Sequence, residues 1–220
     1  MQLPELLDRV VSLLYPQRCL RCEGLVEYDD IFCEVCPVRA AGEVTLAFAH
    51  SLAGVAAVYE YKGHSRKLVW ALKAGEPKRV RYILAGEMQN ILNGRWGEVG
   101  CDMIVPVPAT QTKLEERGFN HAELLAEELG SCAGIPVRPE VLVRAEGSQV
   151  QHNLDRAQRE KNAGLSYQIG LADGLEGKTV LLVDDLITTG WTLAVCARRL
   201  IDSGAAQVYA LAAATTPSRE

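Results

Sequence analysis

No stretch of the sequence reaches the ~18 consecutive apolar residues of a membrane-spanning helix. No basic segment precedes the apolar N-terminus, and Glu5, Asp8 and Arg9 interrupt the run that a cleaved leader needs. Leu3, Leu6, Leu7, Val10, Val11 and Leu14 instead fall at helical spacing ahead of Pro16, so the segment reads as an amphipathic helix, and the expected location is the cytoplasm. Excess positive charge is missing too. A net charge of −5 excludes a protein that coats nucleic acid with its whole surface, because such binding needs many phosphate-neutralising cations. Also absent are internal repeats, low-complexity tracts, and the low apolar content of a disordered chain. What is present, 220 residues with 48% hydrophobic and 23% charged side chains, suits one α/β domain plus a small appendage.

The charge is unevenly spread. Between Lys62 and Arg81 stand seven basic residues (Lys62, Arg66, Lys67, Lys73, Lys78, Arg79 and Arg81) against Glu76 alone, a local +6 that leaves −11 for the remainder. A local patch of this kind can meet phosphate backbones despite a negative total.

Of seven cysteines, four fall as Cys19-x-x-Cys22 and Cys33-x-x-Cys36, ten residues apart. Each pair offers two thiolates to one ion, and two such knuckles close a tetrahedral site of the structural zinc type. Two disulfides or a redox motif are the competing readings. A reducing compartment disfavours the first, and a redox Cys-x-x-Cys ordinarily stands alone beside a βαβ pattern. Zinc at Cys19, Cys22, Cys33 and Cys36 is therefore the expectation, in a module over 1–48 ahead of a main domain over 49–220.

In that main domain strands and helices alternate. Strands are predicted at Gly54–Tyr61, Asp102–Val107, Val141–Arg144, Thr179–Val183 and Gln207–Ala213, and helices at Ser65–Lys73, Val80–Leu92, His121–Gly130 and Trp191–Asp202. Leu154–Lys161 reads as a polar helix or ordered loop, inside a polar stretch, Glu146–Ala163, with the composition of a mobile flap. Alternation of this kind predicts a mostly parallel sheet with helices on both faces, and ligands in such folds sit beyond the carboxyl ends of the strands.

The most informative segment is the apolar strand that delivers Asp184 and Asp185 to a loop of Leu186, Ile187, Thr188, Thr189, Gly190, Trp191 and Thr192, which opens a helix. Backbone amides at a helix N-terminus, with threonine hydroxyls beside them, make a nest for a phosphate. Two adjacent carboxylates can accept hydrogen bonds from two vicinal hydroxyls, such as a ribose presents. This run resembles the phosphoribosyl-pyrophosphate motif of type I phosphoribosyltransferases.

The cysteine knuckles, Tyr61-Lys-Gly63 with its basic helix, Pro106-Val-Pro108 followed by Arg117-Gly-Phe-Asn120, and Gln151–Asn162 occur together and in order, and in this the chain is similar to the ComF family. His121 stands where that family tends to have glutamine. The resemblance implies a type I phosphoribosyltransferase-like α/β fold. It further implies binding of phosphoribosyl pyrophosphate, or a related phosphosugar, with Mg²⁺. Lys73, Lys113 and Arg117 are then candidates for the pyrophosphate oxygens, Lys73 on an early loop at Lys73-Ala-Gly75 and the other two on a hood from Lys113 to Asn120. With Asp184 and Asp185, Arg117 forms the candidate catalytic set for transfer of phosphoribosyl to an unnamed acceptor. The other function it implies is a non-catalytic one in natural transformation, binding single-stranded DNA or competence proteins through the zinc finger and the basic patch.

Overall fold

The computed structural model describes residues 18–20, 22–26, 32–36, 40–46, 50–63, 65–73, 78–145 and 166–216. The predicted N-terminal helix over Leu3–Leu14, the Leu154–Lys161 element and the flap over Glu146–Ala163 lie outside the described residues, as do residues 74 and 75.

The elements are β1 (Ala40–Glu43), β2 (Gly54–Glu60), α1 (Ser65–Lys73), α2 (Lys78–Trp96), β3 (Met103–Pro106), α3 (Gln111–Arg117), α4 (His121–Ala133), β4 (Leu142–Arg144), β5 (Tyr167–Ile169), β6 (Thr179–Ile187), α5 (Trp191–Asp202) and β7 (Gln207–Thr215). Five strands form one sheet in the order β1-β2-β7-β6-β3, parallel throughout except for β1. β4 and β5 pair separately as an antiparallel hairpin.

The central stretches of β2, β3, β6 and β7 are apolar because both faces are covered. Side chains alternate across a strand, so Val55 and Ala57 of β2, Val105 of β3 and Leu182 of β6 join Leu193, Cys196, Ala197 and Leu200 of α5 in one core. Ala56, Val58, Ile104, Leu181 and Val183 point the other way, into a second core with Leu68 of α1, Leu84 and Met88 of α2, and Leu125 and Leu129 of α4. Burial on both faces is what favours near-continuous Val, Ile, Leu and Ala over alternation with polar residues.

The largest departures from the sequence expectation among the strands are the length of β6 and the presence of β1 and β5. β6 runs through Asp184 and Asp185 to Ile187, because β7 pairs with it over its whole length, as far as Ile187 with Thr215. β1 was not legible in Ala-Ala-Gly-Glu. It exists because its backbone pairs with β2, Ala40 opposite Tyr59 and Glu43 opposite Ala56. β5 is likewise a short partner strand, defined by its pairing with β4.

Around Arg117-Gly-Phe-Asn120 the residues are capping devices. Gly118 ends α3 at φ 79°, and its amide donates to the Leu114 carbonyl. Asn120 then starts α4: its Oδ1 accepts from the Ala122 amide at 3.2 Å, and its Nδ2 donates to the Val107 carbonyl at 3.0 Å. Glycine at a left-handed helix end and asparagine at an N-cap are the residues such a junction favours. The second contact ties the start of α4 to the turn that leaves β3. His121 is buried behind it, edge-on to the Phe119 ring at 5.0 Å.

Candidate functional site

Three chain segments meet at the carboxyl edge of the sheet. The Thr216 amide donates to Ile187 O at 2.8 Å and its hydroxyl to Thr188 O at 3.1 Å, which fastens the end of β7 to the loop after β6. The Tyr61 amide donates to Thr215 O at 2.6 Å, bringing in the end of β2. From the other side the Val107 amide donates to Val183 O at 2.9 Å, so the turn after β3 lies against the start of the acidic pair.

Asp184 and Asp185 are the sixth and seventh of the nine residues of β6. Asp184 is recessed and its Oδ1 accepts from the Asp185 amide at 2.8 Å. Burial, reinforced by the Asp185 carboxylate beside it, holds the Asp184 carboxyl well above its ordinary value; the positive charge of Lys113 acts in the opposite sense. A cation of α3 thus reaches the field of the acids on β6. Arg117 is the half-buried last residue of α3, and Lys73 is the last residue of α1, its side chain outside the described residues.

Leu186 is half-buried and Ile187 packs into the core, while Thr188 and Thr189 are exposed. Gly190 is the N-cap of α5, at φ 77°. The left-handed backbone favours glycine, and a Cβ there would also make the Leu46 side chain move. With no side chain on the N-cap, the first turn of α5 receives no side-chain cap; only the Trp191 amide leans on Thr189 Oγ1, at 3.4 Å. An N-terminal turn left in this way presents amide donors and the positive end of the helix dipole. The indole of Trp191 lines a pocket along α5 with His50, Val195 and Arg198, so it is the residue's backbone that belongs to the loop.

Two further residues stand beside the start of α5, and neither is legible in the sequence. Tyr167 of β5 is buried, and its hydroxyl lies near the Thr192 side chain. Arg144 of β4 lies over the Tyr167 ring, 4.8 Å from its centroid, with Nη1 donating to the Tyr167 hydroxyl at 3.4 Å. A lone arginine at a strand end looks in sequence like any solvated cation, and Tyr167 follows a stretch with no period.

Away from this edge, the four front cysteines gather their sulfur atoms within 4.8 Å of one another, Cys22 Sγ and Cys33 Sγ being 3.6 Å apart. Zinc–sulfur bonds of ~2.3 Å arranged tetrahedrally need sulfurs about 3.8 Å apart, so the cluster fits one such ion. Tight turns shape it: the Cys19 amide donates to Gly24 O, the Cys36 amide to Cys33 O, and Glu23 takes φ 61°. Burial and the neighbouring thiols push the Cys36 thiol up to about 12, which a cation at the centre would reverse.

Comparison with known proteins agrees with this architecture. Residues 114–220 match the phosphoribosyl transferase domain. The chain is 34% identical over 107 residues to the DNA utilization protein YhgH of Escherichia coli, covering 49% of this chain and 46% of that one. It is 31% identical over 116 residues to competence protein F of Haemophilus influenzae, covering 51% of each, and 32% identical over 108 residues to competence protein ComFC of Bacillus subtilis, covering 47% of this chain and 40% of that one. The chain thus spans about half the length of the curated relatives it matches. Among solved structures it is similar to a glutamine phosphoribosylpyrophosphate amidotransferase from Bacillus subtilis, at 19% identity and TM-score 0.45 over 68% of this chain and 30% of that one. It is also similar to a purine phosphoribosyltransferase from Pyrococcus horikoshii, at 22% identity and TM-score 0.38 over 61% and 75%.

The class is an α/β protein with a mostly parallel sheet, similar over 114–220 to the phosphoribosyl transferase domain, with a four-cysteine cluster ahead of it. Within that class it is a relative of YhgH, competence protein F and ComFC.

Proposed function

We propose that the carboxyl edge of the sheet binds phosphoribosyl pyrophosphate or a related ribose 5-phosphate. The observation that carries this reading is the juxtaposition of two adjacent carboxylates with a helix N-terminus opened by a glycine in the left-handed conformation. In it, Asp184 and Asp185 accept from the ribose 2- and 3-hydroxyls, and the backbone and hydroxyls from Thr188 to Thr192 hold the 5-phosphate. Lys113, whose charge already acts on Asp184, faces the pyrophosphate together with Arg117, and Lys73 is the third candidate cation.

Transfer to an acceptor, if one is bound, breaks the anomeric carbon–oxygen bond and forms a bond to a nucleophile. Pyrophosphate leaves, and positive charge builds on the ribose. The protein's part is positioning together with stabilisation of separated charge: cations at the leaving group, carboxylates on the ribose side. Mg²⁺, carried in with the pyrophosphate, neutralises part of its charge. The four cysteines hold a structural zinc in a module over 1–48, the phosphosugar site lying in a domain over 49–220, and a reduced thiolate cluster suits the cytoplasm.

Calorimetry of the full chain with phosphoribosyl pyrophosphate and Mg²⁺ tests the reading. Asp184→Asn combined with Asp185→Asn is expected to weaken binding by at least ~3 kcal/mol, since hydrogen bonds to charged groups contribute about 1.5–3 kcal/mol each. Unchanged affinity in a folded double variant removes the carboxylates from the ribose site.

A second reading is favoured by one surface. On α1, Arg66, Lys67 and Trp70 are exposed on the same face, Trp70 at 74%, and Arg66 lies 5.6 Å from the Tyr61 ring centroid. Cations interleaved with aromatic rings are how single-stranded nucleic acid is held, by phosphate contact and base stacking. In this reading the partner is DNA, or a competence protein that carries it.

A further inference from the structure

Arg144 poses a problem that the phosphosugar site can solve. Its Nε is shut away from solvent and meets no hydrogen-bond partner. Among the described residues no carboxylate forms an ion pair with it. Arg144 as a whole is half-buried, and a guanidinium nitrogen that is shielded with no partner is costly, because the donor has lost water and gained nothing in return. Such an arrangement persists where a ligand completes it or where the neighbours hold it for use.

The neighbours do hold it. The Tyr167 ring lies beneath the guanidinium, and Nη1 leans on the phenol oxygen. Stacking on an aromatic face while the fork of donors stays free is a geometry open to arginine and closed to lysine. Tyr167 is itself fixed in the core that joins β4 and β5 to α5, among Leu142, Leu193 and Cys196. Its hydroxyl accepts from Arg144 Nη1 and lies near the Thr192 side chain, in the first turn of α5. Tyr167 therefore stands beside the first turn of α5, whose N-cap supplies no side chain, and carries Arg144 with it.

We propose that Arg144 is a further anion-binding residue of this site, its guanidinium held flat by Tyr167 to meet the 5-phosphate, and that the same tyrosine positions the Thr192 hydroxyl for that phosphate. This rests on the phosphosugar reading above. It adds a cation to a loop that otherwise offers only neutral donors, and it places that cation on the β4–β5 hairpin, a different part of the chain. A single tyrosine hydroxyl then ties the orientation of the loop's threonine to that of the arginine.

The test is titration of the full chain with ribose 5-phosphate, read by calorimetry and by the phosphorus resonance of the bound ligand. Arg144→Gln is expected to bind at least about tenfold more weakly and to shift the bound phosphorus resonance. Arg144→Lys should recover only part of the loss, because it keeps the charge without the flat fork. Tyr167→Phe, which removes one oxygen and keeps the packing, is expected to lose roughly three- to tenfold, the range of a single neutral hydrogen bond. If the unmodified chain binds and Arg144→Gln leaves both affinity and resonance unchanged, Arg144 has no part in the site. If the unmodified chain binds neither ribose 5-phosphate nor phosphoribosyl pyrophosphate, the phosphosugar reading falls and takes this inference with it. Should Arg144→Gln fail to fold, Tyr167→Phe decides, and an unchanged affinity in that variant overturns the proposal.

Discussion

Asp184 illustrates how a residue can oppose the fold that carries it. Its carboxyl sits recessed beside a second carboxylate, and burial first, then the like charge, raises its pKa. A carboxyl with a folded value above its unfolded one binds more protons when folded. Stability therefore falls as pH rises above the ordinary carboxyl value of 3.8 and returns on acidification. Asp184→Asn removes the charge yet keeps an oxygen to accept from the Asp185 amide, the contact seen at 2.8 Å. The variant is expected to be more stable than the parent at pH 7, by roughly 0.5–2 kcal/mol, the usual gain when a functionally strained position is relieved. The advantage should shrink as pH falls towards 4, where both proteins carry a neutral group. Urea unfolding at the two pH values checks this; a variant that is no more stable at pH 7 shows that the buried charge is fully compensated.

At the scale of elements, the sequence predicted those whose burial follows their own period, and α1 and α5 fall as expected at Ser65–Lys73 and Trp191–Asp202. It missed what is made by pairing. Aspartate is depleted in strands, so Asp184 and Asp185 read as the start of a loop, whereas the ladder to Ala212 and Ala214 of β7 carries the strand past them. For the same reason the acids and threonines of the candidate site were legible, being one contiguous run, while Arg144 and Tyr167 were not, being brought there by a hairpin. The cysteine cluster depends on pairing too. Leu20 and Phe32, beside its cysteines, pack on the core that α1 and α2 share, and β1 follows directly as the sheet's edge. Segments so short have little core of their own, and a metal held by the four thiols would supply what the core lacks. Chelation is therefore expected to release one zinc per chain and to raise amide hydrogen exchange over 18–46, β1 included, while β6 and β7 stay protected. Protein purified without any bound metal, with residues 18–46 already protected, would refute the metal's structural role.

Across the whole molecule the charge distribution separates two tasks. The carboxyl edge offers a recessed pocket-like meeting of acids, amides and Lys113, whereas α1 offers an open face of Arg66, Lys67 and Trp70. If that face meets nucleic acid, binding must weaken with salt, because each neutralised phosphate releases condensed counterions, with a log–log slope of about 0.7 per single-strand contact. Two to four contacts give a slope of roughly 1.4–2.8. Arg66→Glu with Lys67→Glu should reduce both affinity and slope. Trp70→Ala should reduce affinity with the slope kept, since stacking releases no ions and contributes about 1–3 kcal/mol per base. All three side chains are exposed, so the fold and the affinity for phosphoribosyl pyrophosphate are expected to stay as they were. The pair of effects is what identifies a nucleic-acid surface, for a solvated basic helix would bind weakly, with a salt slope but indifferent to Trp70. Fluorescence anisotropy with a single-stranded probe at two or more salt concentrations distinguishes these, and binding unaffected by Trp70→Ala would leave α1 as no more than a charged face.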